Sequence, residues 1–167
     1  MAMQIAIIAA LASAAIGATW YIARQDVRSC VVDDTLQPIA ALAEENRKII
    51  EAVKAEGLAD SESALLGSYL ARIRKDGVPT NSGMKQRIDT LVNNNTVIVA
   101  YLSKYAPHAR TPAFRTAADQ YRNYAISFRD RWQSLFEIFM AGGNLPALGP
   151  AYPSQFSASL NQEMTAD

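Results

Sequence analysis

The sequence predicts an all-α chain: a single N-terminal transmembrane helix, an antiparallel bundle of about four helices, and an extended C-terminal tail. Three observations predict it. Residues 2–23 carry no charged side chain. Four later segments place apolar residues three and four apart, the spacing of one helix face. Strand-like alternation is missing, because the β-branched run "TVIVAYL" sits inside the cleanest of those stripes. The corresponding boundaries are 1–30 for the anchor and juxtamembrane segment, 31–143 for the bundle and 144–167 for the tail.

Composition narrows the function classes. A chain of 167 residues suits one domain, and with the opening stretch set aside about 140 residues remain for a core. Sixteen Lys and Arg balance sixteen Asp and Glu, so there is no overall basic field to hold nucleic acid, which needs several clustered phosphate contacts. The one cysteine, Cys30, excludes an internal disulfide framework and a thiolate metal cluster.

The opening stretch reads first as an anchor. At ~1.5 Å per residue its helical length is about 33 Å, against a hydrocarbon core of about 30 Å. Trp20 and Tyr21 follow where aromatic rings favour the interface, and Arg24 and Arg28 come just beyond. A signal peptide cleaved after Ala14 is the rival, since Ala12-Ser13-Ala14 is an A-x-A-like site. Against it, "MAMQ" has no Lys or Arg and the apolar run continues past the site. A buried core helix suits a charge-free terminal segment of this length poorly in so small a protein. Ala10, Ala14 and Ala18 recur every four residues, as do Ala9, Ser13 and Gly17. Small residues so spaced let transmembrane helices approach closely, which points to another copy or another membrane subunit as partner; alanine is also simply abundant here. With Arg24 and Arg28 on the C-terminal flank, the positive-inside rule places the bundle in the cytoplasm.

The bundle helices follow in order. The first starts near "DDTLQP", where Asp33, Asp34 or Thr35 caps free N–H groups and Pro38 falls in the first turn. Its face is Ile39, Leu42, Asn46, Ile49 and Val53, and Gly57 stops it. The second opens at "DSES", shows Leu66, Tyr69 and Ile73, and ends at Gly77 and Pro79. The third carries an unbroken stripe of Met84, Ile88, Leu91, Asn95, Ile98, Leu102 and Tyr105. In "APHARTP", Thr111 is a natural cap and Pro112 a natural first helical residue. The fourth runs from Phe114 through Ala118, Tyr121, Ala125, Phe128, Trp132 and Leu135 to Phe139, and closes at Gly142 and Gly143. Sustained seven-residue spacing with short connections implies helices packed along seams. The remainder, with three prolines and several serines, reads as an extended segment; its aromatics among prolines suit lying over another surface.

No grouping in the chain reads as catalytic. Asn46 and Asn95 sit on core-facing positions, where a buried amide fixes register or lines a small polar pocket. Arg115, Arg122 and Arg129 recur every seven residues beside Asp119; they form ion pairs on a solvated flank, to Asp119 and to Glu45 or Glu51 of a neighbouring helix, or else meet acidic lipid or an acidic partner. His108 lacks partners at metal-ligand spacing, and there is no nucleophile elbow, phosphate loop or Cys-x-x-Cys. The "NNT" sequon at residues 94–96 lies mid-helix, and Cys30 lacks a lipobox. No cofactor is expected.

Two function classes remain. The first is a non-catalytic, single-pass structural or interaction subunit of a larger membrane assembly, with membrane lipid and other subunits as partners. The second is an exported or tethered bundle that binds a small ligand near Asn46, Asn95 and the tyrosines; such a site requires a cavity. In layout, one span followed by a helical domain and a Pro-rich tail resembles the inner-membrane spanins of phage lysis systems, a resemblance that implies an external bundle.

Overall fold

A computed structural model describes residues 23–77, 83–144 and 149–166, and every secondary-structure element among them is helical. The anchor segment, with Ala9, Ala10, Ser13, Ala14, Gly17, Ala18, Trp20 and Tyr21, lies outside the described residues. Among the described residues no helix is long and apolar enough to cross a membrane.

The chain divides into two compact units, Met1–Gln37 and Pro38–Asp167. In the first, residues 23–31 are helical and lead into a π-helical turn, Val32–Leu36, closed by the Gln37 N–H on the Val32 carbonyl. This corrects the expected helix start at Asp33, Asp34 or Thr35: both aspartates lie inside the π-turn, and no side chain caps it. Nothing in "ARQDVRSC" breaks a helix, so no fresh start is needed. Pro38 lacks an N–H and its ring crowds the carbonyl one turn back, and a wider turn relieves that crowding.

The second unit holds α1 (Gln37–Ala55) from Pro38 onward, α2 (Glu62–Asp76), α3 (Gly83–Tyr105), α4 (Pro112–Met140) and α5 (Phe156–Thr165). Ser61 caps α2, its hydroxyl accepting the Ala64 N–H, and Gly77 stops it at φ 82°, a backbone shape that only glycine adopts cheaply. Thr111 caps α4 in the same way with Pro112 at its first position.

Side-chain pairs fix the directions. Asn46 meets Asn95 while Glu56 meets Arg87, so α1 and α3 are antiparallel. Tyr105 packs on Phe114, Tyr121 bonds Asn95 and Trp132 bonds Asp89, so α3 and α4 are antiparallel along their length. The second helix departs from an all-antiparallel bundle: Tyr69 packs on Trp132 and Arg74 bonds Asn144, so α2 runs the same way as α4. The segment 56–61 climbs back before α2 begins, which sets Glu62 beside the middle of the bundle rather than at its end.

Helix α2 therefore covers only one half of the α3–α4 pair. There Leu65, Leu66, Tyr69, Leu70 and Ile73 join Val53, Ile88, Leu91, Phe128 and Leu135 in one apolar core. The other half is covered by α5, which corrects the expectation of an extended tail over 144–167. Phe156 stacks on Tyr121 with ring centroids 4.2 Å apart, and Leu160 is buried with it. A ten-residue helix is marginal alone; burying Phe156 and Leu160, at ~1.5–3 kcal/mol each, is what holds it.

Candidate functional site

Where the two halves meet, the core turns polar. Asn46 donates Nδ2–H to Asn95 Oδ1 at 2.8 Å, and Tyr121 donates its hydroxyl to the same oxygen at 2.6 Å. Asn94 reaches both Asn46 Oδ1 at 3.0 Å and Glu45 Oε2 at 3.1 Å. Three helices are thus tied by amides that would each cost about 1–3 kcal/mol if buried without a partner.

Glu62, the first residue of α2, is buried beside this ladder. Its Oε2 and the Asn95 Nδ2 are buried without a hydrogen bond of ordinary geometry. Burial pushes the Glu62 carboxyl up to about 8, and the Asn95 amide opposes that rise. The free N–H groups of a helix start favour an anion there by only ~0.3–1 kcal/mol, so desolvation dominates. Tyr121 and Tyr152 are both raised, first by burial and then in part by the Glu62 charge, which places both phenols close to the carboxyl.

A cleft of about 630 Å³ opens over this point between α1, the start of α2 and the segment leading into α5. Asn46, Glu62 and Tyr152 give it polar groups, and Ala43, Ile50 and Leu160 give it apolar wall. Nothing in the arrangement pairs a nucleophile with a base. Among the described residues no group of three or more His, Cys, Asp or Glu is placed to hold a metal ion.

The other sequence-derived positions lie elsewhere. Arg115 donates from Nε and Nη2 to the Ala109 carbonyl at 3.0 and 2.8 Å, Arg122 pairs with Asp119 at 3.4 Å, and Arg129 pairs with Asp130 at 2.9 Å. The expected partners on the neighbouring helix are engaged otherwise, Glu45 by Asn94 and Glu51 by Arg47. Arg24 and Arg28 fall in the helical stretch 23–31, and Cys30 is an exposed free thiol. Sequence reasoning missed Glu62, Asn94 and Tyr152. For Glu62 a signal existed, since it stands one turn ahead of Leu66 on the Leu66–Tyr69–Ile73 stripe. No protein-family model, curated protein or solved structure matches this chain.

Proposed function

We propose that this chain is a non-catalytic, single-pass membrane-anchored helical module whose bundle takes a small ligand in the cleft over Asn46, Glu62 and Tyr152. The observation that carries the reading is the cleft itself. Its volume of about 630 Å³ falls within the ~300–1,000 Å³ of small-molecule sites, and its wall combines an apolar strip of Ala40, Ala43, Ile50 and Leu160 with a polar, charged rim. The charge-free stretch 2–23, with Trp20, Tyr21, Arg24 and Arg28 after it, supports the anchor, with membrane lipid and the small-residue face as its contacts and the bundle on the cytoplasmic side.

The interaction-subunit reading has one observation of its own. Phe136 and Met140, one turn apart on α4, are 38% and 81% exposed, an apolar pair suited to a partner surface.

Thermal shift of the full-length chain against a small-molecule library tests the cleft. At least one compound should raise the melting temperature, and Ala40→Trp, which fills the cleft from α1, should abolish that rise. A library without a hit, together with an Ala40→Trp chain markedly destabilised because the added ring finds no room, overturns the reading. Intact mass of the chain in washed membranes tests the anchor; a product shortened near Ala14 in the soluble fraction overturns it.

A further inference from the structure

Resting on the reading of the cleft as a ligand site, we propose that its occupant is a small organic cation, an ammonium group on an apolar body, bound by the Glu62 carboxylate. A carboxylate is acceptor-only and wants donors on both oxygens, yet the buried Glu62 Oε2 has only the Asn95 amide near it, outside ordinary hydrogen-bond geometry. The side chains facing it from the packed elements are Asn46 of α1, Asn95 of α3, Tyr121 of α4 and Tyr152 ahead of α5, and none is cationic. The Tyr121 hydroxyl proton and one of the two Asn46 Nδ2 protons go to Asn95 Oδ1.

The charge around the cleft points the same way. Arg47 is committed to Glu44 and Glu51, and with Asp60 and Lys54 beside them the lining carries one more negative than positive charge even when Glu62 holds its proton. That excess of acid attracts a cation and repels an anion. Ala43, Ile50 and Leu160 supply apolar contact for the body of the ligand, and the Tyr152 ring is a π surface of the kind that attracts ammonium.

Binding is proton exchange without covalent change. With Glu62 raised to about 8, the free site at pH 7 holds mostly the carboxylic acid. The arriving ammonium takes the place of that proton, which leaves to solvent. Affinity therefore rises about tenfold per pH unit up to about 8 and then levels.

The test uses the full chain in phosphatidylcholine nanodiscs, titrated by amide chemical shifts with three probes of one shape: tryptamine, the neutral tryptophol and the anionic indole-3-acetate. Tryptamine should bind at least tenfold tighter than tryptophol at pH 8.5 and weaken as pH falls to 6. In Glu62→Gln both the preference for tryptamine over tryptophol and the pH dependence should disappear. Equal or tighter binding of tryptophol or indole-3-acetate, or tryptamine binding indifferent to Glu62→Gln, overturns the cation and leaves the cleft standing as a site. If none of the three shifts the cleft resonances, both the cation and the ligand-site reading fall.

Discussion

Two glutamates expose little surface, Glu62 7% and Glu163 3%, and their surroundings drive them in opposite directions. Glu163, on α5, is clasped. Its Oε1 accepts the Tyr105 hydroxyl at 2.7 Å and the Arg110 N–H at 2.6 Å, and its Oε2 accepts the Thr111 N–H at 2.8 Å and the Thr111 hydroxyl at 2.6 Å. Burial alone would raise it, but those four donors together hold it below the ordinary carboxylate range. Glu62 lies deeper among protein atoms with only the Asn95 amide to oppose its desolvation, and rises. Desolvation raises a buried carboxyl and donors lower it, and the balance of the two decides its charge. One acid is structural, pinning α5 across the α3–α4 corner, and the other is unfinished.

The contrast predicts opposite pH profiles. Glu62 has a raised folded value, so the folded state holds its proton where the unfolded chain has lost it, and its contribution falls as pH climbs from about 4.5 to about 8. Glu62→Gln should therefore match the parent at pH 5 and exceed it by roughly 4 kcal/mol at pH 8, the largest effect expected. Denaturant melts at the two pH values check it. A variant no more stable at pH 8 would mean that Glu62 already has its donors.

Glu163 works in the reverse sense. Its folded value is lowered, so its contribution is full above about 4.5 and is lost as pH falls below that. Glu163→Gln leaves fewer acceptor sites for Tyr105, Arg110 and Thr111, and should cost about 3 kcal/mol at pH 7. The deficit should shrink in acid as the parent itself becomes protonated. Hydrogen exchange of the α5 amides would localise the loss to that helix; uniform loss across the bundle would break the assignment of Glu163 to the clasp.

How these acids were hidden follows from their positions. The α3 and α4 stripes were legible because long runs of apolar residues at helical spacing leave one packing solution, and Thr111–Pro112 marks the start of α4 by its own chemistry. Glu62 and Glu163 lie on stripes too: Glu62 leads Leu66, Tyr69 and Ile73, and Glu163 follows Phe156 and Leu160. A charged residue on an apolar stripe reads as its end unless the donors that meet it are known. For Glu163 those donors are more than fifty residues away in sequence. Helix α5 was missed for a related reason: ten residues among serines have little helical drive until the bundle covers them. The cleft could not be read at all, because it depends on α2 starting mid-bundle, and that depends on the path of residues 56–61.

The capping residues carry the comparison down to its smallest effects. Ser61 and Thr111 do the same local work, each hydroxyl accepting one N–H of the first turn, at 3.1 Å from Ala64 and 3.3 Å from Phe114. Thr111 does more, since its proton goes to Glu163 at 2.6 Å, so one hydroxyl links the start of α4 to α5. Thr111→Ala should cost about 2 kcal/mol, combining a cap with a charge-assisted bond. Ser61→Ala should cost about 1 kcal/mol, the cap alone. In the Glu163→Gln background the two should converge near 1 kcal/mol, because the extra role of Thr111 exists only for the charged partner. That double-mutant cycle, read from chemical melts at pH 7, isolates the clasp from the cap. Strict additivity would show that Thr111 caps α4 and that the tie to α5 runs through Tyr105 and the backbone N–H groups instead.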